Sequence, residues 1–163
     1  MGYTTDFEGS IQISPPLNEA ERSFLRDLAT TRRMNRTKGP LFIQDTVNFG
    51  QHHDPDVLDY NNPHPHQPSL WLQWEPSEDG KFLQWDGGEK FYGSAEWMEY
   101  IVNGLLSPEA EVYVKEHLDE DPRLAEFQFN HICNGSIDAE GEDPDDRWTL
   151  IVVNNEVRAE SKW

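Results

Sequence analysis

Two short tryptophan-rich runs, residues 70–74 and 81–85, constrain the fold more than any other part of the sequence. Each run is strand-like in its residue types, and the loop between them ends in Gly80, which suits a hairpin. On a period of two residues, Trp71 lies on the face opposite to Trp74. We therefore expect an antiparallel hairpin with one tryptophan directed away from the core.

A first helix is predicted between Asn18 and about Met34. Asn18 and Glu21 have the spacing of a capping box, and an apolar stripe follows them. This interpretation places Arg32 and Arg33 in the last turn, where cations are favourable beside the exposed carbonyl groups. From there they could also tether the helix to carboxylates of the sheet.

Capping and turn signals indicate further elements. Residues 4–14 alternate weakly and end at two prolines, which predicts an edge or hairpin strand. A short strand is a candidate at residues 41–44. Ser94 is the expected cap of a second helix with an apolar stripe, and Pro108 begins a third helix that runs to about Leu118.

The C-terminal part, residues 127–160, is typical of a β-meander. Asn134-Gly135 is the strongest turn signal in it, because this dipeptide favours the tight turns of hairpins. The predicted strands are 127–133, 136–140, 148–153 and 157–159.

The order of these elements predicts one α+β domain over residues 1–163, an antiparallel sheet with two or three helices packed on one face. Residues 35–68 are rich in proline, histidine and asparagine and are predicted to form a long loop. Loops of this length are uncommon in compact domains unless they carry a function or move.

The composition favours a folded protein in a reducing compartment. Hydrophobic residues make up 36% of the chain, and six Trp, eight Phe and five Tyr supply large apolar surfaces for a core. Cys133 has no second cysteine with which to form an internal disulfide. No apolar run approaches the roughly 18 residues of a membrane span. We expect a cytoplasmic protein without a membrane partner.

The charge is strongly polarised along the chain. The net charge is −18, and residues 109–146 hold 13 carboxylates against two bases, Lys115 and Arg123. Residues 22–38 hold six bases against one acid, Asp27. Like charges repel, so the acidic part is a poor partner for nucleic acid or anionic membrane, and a basic protein surface suits it better.

Five short segments stand out as motifs: residues 1–7 (MGYTTDF), 31–34 (TRRM), 59–61 (DYN), 67–74 (QPSLWLQW) and 85–92 (WDGGEKFY). Jointly they resemble the markers of a family of small, uncharacterised proteins encoded by bacteria and bacteriophages. The resemblance spans nearly the whole chain and implies a single domain and a bacterial or phage origin, with no activity attached. The sequence departs from the family pattern at His64-Pro65-His66 and between residues 108 and 127.

One cluster of metal-ligand residue types lies in the predicted loop. Its spacing matches no closed zinc pattern, and Cys133 is remote from it in the sequence. We therefore predict neither a metal nor another cofactor. The residues are His52, His53, Asp54, Asp56, His64 and His66.

A second candidate is a ligand pocket beside the tryptophan hairpin, for an enzyme or a small-ligand binder. Two carboxylates could divide acid and base work while tryptophans stack a ring or a sugar. A turn, a solvated ion pair and a tryptophan core explain the same residues, so a binding protein is preferred over an enzyme. The set is Arg32, Arg33, Trp71, Trp74, Trp85, Asp86 and Glu89.

The third candidate is the acidic surface itself. Carboxylates on a rigid scaffold can imitate duplex phosphates and occupy the Lys- and Arg-rich groove of a nucleic-acid-handling protein. A solubilising surface or adaptation to high salt explains the acidity equally well. The predicted partner-binding residues are Asp119, Glu120, Asp121, Asp138, Glu140, Glu142, Asp143, Asp145 and Asp146. Together with the origin that the resemblance implies, this gives the hypothesis of a phage-linked or bacterial protein that binds a basic partner, for example as a DNA mimic that blocks a host nucleic-acid-handling or defence complex.

Overall fold

A six-stranded antiparallel sheet with helices on one face dominates the computed structural model, which describes residues 2–43 and 57–162. Single turns of π-helix (Val102–Leu106) and 3-10 helix (Pro108–Ala110, Leu118–Glu120 and Pro122–Glu126) link the longer elements. The predicted α+β class is confirmed. In chain order the elements are β1 (Asp6–Ser14), α1 (Glu19–Thr30), β2 (Met34–Arg36), β3 (Val57–Pro63), β4 (Trp74–Pro76), β5 (Phe82–Trp85), α2 (Ser94–Ile101), α3 (Glu111–Lys115), β6 (Ile132–Glu140), β7 (Arg147–Val153) and β8 (Glu156–Ser161).

The first strand lies inside the sheet, whose order is β4-β5-β1-β6-β7-β8. The prediction of an edge strand was wrong. Pro15 and Pro16 lie beyond the last paired residue, so they end the strand without removing a hydrogen bond from it. Phe7, Ile11 and Ile13 point into the core, and the polar residues between them point to the other face.

The strand β6 is continuous through Asn134-Gly135, where a hairpin turn was predicted. Gly135 pairs with Ile11 on one side and Val152 on the other. A Cβ atom on Gly135 would lie 2.7 Å from the Ser10 carbonyl oxygen, so glycine here permits close approach of two strands rather than a turn. The meander therefore has three strands within residues 132–161, and residues 127–131 are not strand.

The first helix starts as predicted and ends earlier. The Asn18 side chain accepts from the Glu21 N–H at 2.8 Å, and the Glu21 carboxylate accepts from the Asn18 N–H at 2.9 Å. At the other end, the Thr30 and Thr31 hydroxyls both donate to the Asp27 carbonyl, and Thr31 is extended. Arg32 and Arg33 therefore lie beyond the helix, which corrects their placement in its last turn.

The second helix is capped by Gly93, in the left-handed region at φ 70°, and not by the predicted Ser94. The Ser94 carbonyl instead accepts from the Trp74 indole N–H at 2.8 Å, which ties the helix to the hairpin. The predicted helix from Pro108 to Leu118 is broken into short turns around α3. The predicted apolar stripe is confirmed as fully buried: Trp97, Ile101, Val102, Leu105 and Leu106.

A hairpin does join the two tryptophan-containing segments, but its first strand, β4, covers Trp74–Pro76 rather than the predicted residues 70–74. Trp74 pairs with Trp85 across β4 and β5, while residues 70–73 approach without joining the sheet. The predicted loop at 35–68 contains β2 and β3, which form a separate two-stranded sheet. Residues 41–43 are not strand, and Gln44 of that predicted strand lies outside the described residues. Among the helices described, none is long and apolar enough to cross a membrane.

Candidate functional site

The face of the sheet opposite the helices brings four carboxylates together on the neighbouring strands β1 and β6. Asp6 pairs directly with Glu140, and Glu8 pairs directly with Asp138. Residues in direct register on antiparallel strands share a face, with Cβ atoms about 4.5–5.5 Å apart. All four are exposed. We call Asp6, Glu8, Asp138 and Glu140 the acidic quartet.

Two basic side chains border the acidic quartet on the β7 side. The Lys162 ammonium lies 3.2 Å from the Asp138 carboxylate, and the Arg147 guanidinium lies 3.3 Å from that of Glu140. Hydrogen bonds from Lys162 and Thr149 lower the pKa of Asp138. The side chains of Asp138 and Glu140 are still 61% and 60% exposed. In the described part of the chain, Asp6 and Glu8 form no ion pair, so the quartet keeps a net negative charge.

A shallow hollow of about 250 Å³ lies over the acidic quartet and is also lined by Arg147 and Lys162. Its floor is strand backbone, which is fixed by the full register between β1, β6 and β7. The charges therefore sit on a rigid base rather than on a mobile loop.

The acidic turn at residues 142–146 continues this surface beyond the end of β6. The Tyr3 hydroxyl donates to the Asp146 carboxylate at 2.7 Å, and the Thr4 N–H donates to the Glu142 carboxylate at 2.5 Å. These bonds hold the turn against the N-terminal segment. Asp143 and Asp145 are exposed at its tip.

Two of the predicted partner-binding residues are internal, which corrects the prediction for them. The Glu120 side chain is 8% exposed, accepts from the Leu41 N–H at 2.7 Å and bonds to His117. Asp121 is 6% exposed and accepts from Arg123 at 2.8 Å. Their charges hold the chain together and do not face a partner, whereas the neighbouring Asp119 is exposed.

The predicted ligand pocket does not form as a set. Trp74 is fully buried, and Arg33 is 3% exposed with its guanidinium on the carbonyls of Thr31, Pro40 and Phe42. Desolvation by burial, with repulsion from Arg36, lowers the pKa of Arg33 to about 10. These two side chains are structural.

The other members of that predicted set also have partners of their own. The Trp85 indole N–H donates to the Gln73 side chain at 3.0 Å, and the Arg32 guanidinium lies 4.5 Å from the Tyr60 ring centroid. The Asp86 carboxylate accepts from the Gly88 N–H at 2.8 Å, and desolvation outweighs this bond and raises its pKa. Among the described residues, no hydrogen bond or ion pair joins Asp86 to Arg32.

Trp71 and Glu89 do share a cleft, of about 560 Å³, with residues that the sequence did not single out. Its aromatic walls are Trp71 and Tyr92, its other apolar lining is Pro63 and Leu70, and its polar groups include Asn61 and Lys90. Trp71 is 42% exposed, so one tryptophan does face away from the core, although residues 70–73 are not strand.

Two of the six candidate metal ligands, His64 and His66, lie among the residues that the structure describes. The other four, His52, His53, Asp54 and Asp56, lie outside the described residues. The rings of His64 and His66 lie 4.9 Å apart at their centroids. Within residues 2–43 and 57–162, no group of three or more His, Cys, Asp or Glu side chains is placed to hold a metal ion. Burial raises the pKa of the Cys133 thiol to about 12, so it is a poor nucleophile.

Half of the acidic quartet was missed from the sequence, although a signal was present. Asp6, Glu8, Ser10 and Gln12 occupy every second position of the first strand. That alternation assigns them to one face, but it cannot show that the neighbouring strand carries Asp138 and Glu140 in register with the two acids.

The chain matches no protein-family model, no curated protein and no solved structure. The function is therefore argued from the geometry of the site alone.

Proposed function

We propose that this protein binds a Lys- and Arg-rich surface of a partner protein through the acidic quartet, with Asp143 and Asp145 at the rim. The observation that carries the proposal is the direct pairing of like charges, Asp6 with Glu140 and Glu8 with Asp138, on an uncovered sheet face.

Such pairing is unfavourable in the free protein. Like charges directly opposite each other on neighbouring strands destabilise a sheet by a few tenths of a kcal/mol to about 1 kcal/mol per pair. A solubilising surface does not require carboxylates in register, because scattered acids serve that purpose equally well. A cationic partner placed over the quartet would relieve the repulsion, so part of the binding free energy is already stored in the free sheet.

The geometry supports a partner that normally binds phosphates. Successive outward residues on a strand are about 7 Å apart, and the neighbouring strand repeats them about 5 Å away, which gives two parallel rows of negative charge. A groove that neutralises the two strands of a duplex releases counterions, and the same release would favour binding of these rows. The partner we propose is accordingly a nucleic-acid-handling protein, and the chain acts as a DNA mimic that blocks it.

Capture from a bacterial lysate tests the proposal with matched variants. The quartet variant is D6N/E8Q/D138N/E140Q. The control variant is E78Q/E96Q/E109Q/E126Q, which removes the same charge from exposed positions outside the quartet. We expect one basic protein to be captured by the wild type and the control, to be lost with the quartet variant, and to be released by duplex DNA.

Salt provides the second arm of this experiment. At about 1 M salt the Debye length falls to about 3 Å, so an electrostatic complex should dissociate. Capture that persists unchanged at that salt concentration, or that the quartet variant retains, would overturn the proposal. Thermal melting of all three proteins shows that each is folded before capture is compared.

A further inference from the structure

The cleft beside the tryptophan hairpin has the form of a small-molecule site and lies apart from the acidic quartet. Its volume of about 560 Å³ falls within the range of about 300–1,000 Å³ that is typical of ligand pockets. Residues of β3, of the segment before β4 and of the segment after β5 line it.

The indole of Trp71 differs from those of the tryptophans packed behind it. The indole N–H groups of Trp74, Trp85 and Trp97 donate to Ser94, Gln73 and Ser69, at 2.8, 3.0 and 2.8 Å. Trp71 is 42% exposed, and its indole N–H has no partner within the described residues. Tyr92, 52% exposed, supplies a second aromatic ring to the same cleft.

Hydrogen bonds from the interior hold the walls of the cleft in place. The Gln73 side chain donates to the Glu89 carbonyl at 2.8 Å, and the Ser69 hydroxyl donates to the Tyr92 carbonyl at 2.8 Å. The Tyr92 hydroxyl accepts from the Tyr3 N–H at 3.2 Å. A ligand would therefore meet a site that is already formed.

Lys90 lines this cleft from a strained backbone. Its φ is 58°, in the left-handed region, which is unfavourable for a residue that carries a side chain. Glycine would avoid this cost, and strain of this kind concentrates at functional sites. The side chains of Glu89 and Lys90 form no ion pair with any residue that the structure describes.

We propose that this cleft binds a neutral saccharide, one or two pyranose rings in size. The C–H face of a sugar ring packs on aromatic side chains such as Trp71 and Tyr92. The Glu89 carboxylate accepts from sugar hydroxyls, the Lys90 ammonium donates to them, and the Asn61 amide does both. The opposite charges of Glu89 and Lys90 and the net charge of −18 disfavour an anionic ligand.

Titration with defined sugars tests this inference, and tryptophan fluorescence and the NMR signal of the Trp71 indole N–H report binding. The probes are glucose, galactose, mannose, N-acetylglucosamine, maltose, cellobiose and diacetylchitobiose, with adenosine and uridine as neutral ring compounds of another class. We expect saturable binding of at least one sugar. W71A and E89Q should each weaken it about tenfold or more, as removal of a central contact does.

The matched control is V112A, which truncates a side chain that is 72% exposed on α3 and should leave the affinity unchanged. K90G is the most discriminating variant. It should raise the melting temperature by about 2–4 °C by removing the backbone strain, while it weakens sugar binding.

Three results would overturn the inference. They are no saturable binding of any sugar at about 10 mM, binding of a nucleoside alone, and sugar binding that W71A and E89Q leave intact. The quartet variant D6N/E8Q/D138N/E140Q should bind sugar like the wild type, so this test is independent of the proposed protein partner.

Discussion

Both ring nitrogens of His131 face oxygen atoms inside the protein. Nδ1 lies 2.7 Å from the Pro15 carbonyl oxygen and Nε2 lies 2.9 Å from the Glu21 carboxylate, with both side chains fully buried. The same carboxylate accepts from the N–H groups of Asn18 and Gln128. A doubly protonated ring can donate to both of these oxygen atoms while the two backbone N–H groups donate to the Glu21 carboxylate, so this arrangement favours an imidazolium beside a carboxylate.

The stability should therefore fall as the pH rises through the pKa of His131. Burial alone would lower that pKa, but the hydrogen bond and charge of Glu21 and the Pro15 carbonyl outweigh burial and raise it above 6.5. Because the folded state holds the proton more tightly, the contribution is complete below pH 6.5 and is lost above it. Between the two pKa values the slope is up to about 1.4 kcal/mol per pH unit.

Urea unfolding between pH 5.5 and pH 9 measures this slope. H131Q should reduce the decline of the unfolding free energy above pH 6.5, whereas H66Q, at an exposed histidine, should leave it unchanged. NMR of the imidazole nitrogens should show that His131 keeps protons on both nitrogens to a pH above 6.5. Equal slopes in the wild type and H131Q would contradict a buried imidazolium.

The pairing of strands β1 and β6 requires a glycine at position 135. A Cβ on this residue would lie 2.7 Å from the Ser10 carbonyl oxygen, and backbone cannot move aside as a side chain can. Gly87 has a positive φ of 85° as well, but a Cβ there would meet nothing within 4 Å. The two glycines therefore separate the effect of backbone strain from that of strand approach.

G135A should destabilise the protein by about 2–4 kcal/mol and G87A by about 1 kcal/mol, because both glycines have a positive φ, 149° and 85°, and only G135A also places a Cβ against backbone. Chemical denaturation of both variants against the wild type measures the difference. If the two variants lose equal stability, the close approach of β1 and β6 at Gly135 does not matter energetically.

The same glycine shows what the sequence can and cannot predict. Local signals were sufficient for the capping box at Asn18 and for the break between the last two predicted strands, where Asn154 and Asn155 both have positive φ. Asn134-Gly135 carries a stronger local turn signal, yet pairing on both sides keeps it in a strand. Tertiary contacts decided that case, and a single sequence does not contain them.

The candidate sites follow the same rule. The exposure of Trp71 could not be predicted from a strand period of two, because residues 70–73 are not strand and Gln73, which that period places on the same face, is buried. The burial of Glu120 could not be predicted either, since it depends on Leu41, 79 residues away in the sequence. Asp121 caps the turn that contains Arg123, and the tertiary contact there is the ion pair of Arg123 with Asp27 of α1. The acidic quartet needed the register between strands that are more than 120 residues apart in the sequence.

The net charge of −18 destabilises the folded protein through repulsion between its carboxylates, and ion pairs offset that repulsion at some places in the structure. The Arg123 guanidinium forms ion pairs with the carboxylates of Asp121, at 2.8 Å, and Asp27, at 2.7 Å. The second ion pair links the turn that contains Arg123 to α1. Repulsion is concentrated instead at the acidic quartet, where Asp6 and Glu8 have no ion pair with a described residue. The surface that we propose for binding is thus also the surface where the free protein is electrostatically least favourable.

Neutralising that surface should stabilise the free protein. In D6N/E8Q both cross-strand repulsions are removed and the ion pairs of Asp138 and Glu140 are kept, so we expect a gain of about 0.5–2 kcal/mol in unfolding free energy at low salt. E96Q/E109Q removes the same charge from exposed positions away from the sheet and should gain less. Urea unfolding at about 20 mM and about 1 M salt measures both, and the gain should shrink at the higher concentration because the charges are then screened. Two results would contradict this expectation: a loss of stability in D6N/E8Q, or a gain equal to that of E96Q/E109Q. Either result would show that the cross-strand carboxylates do not repel each other in the folded sheet. A cationic partner could then not gain binding free energy by relieving that repulsion.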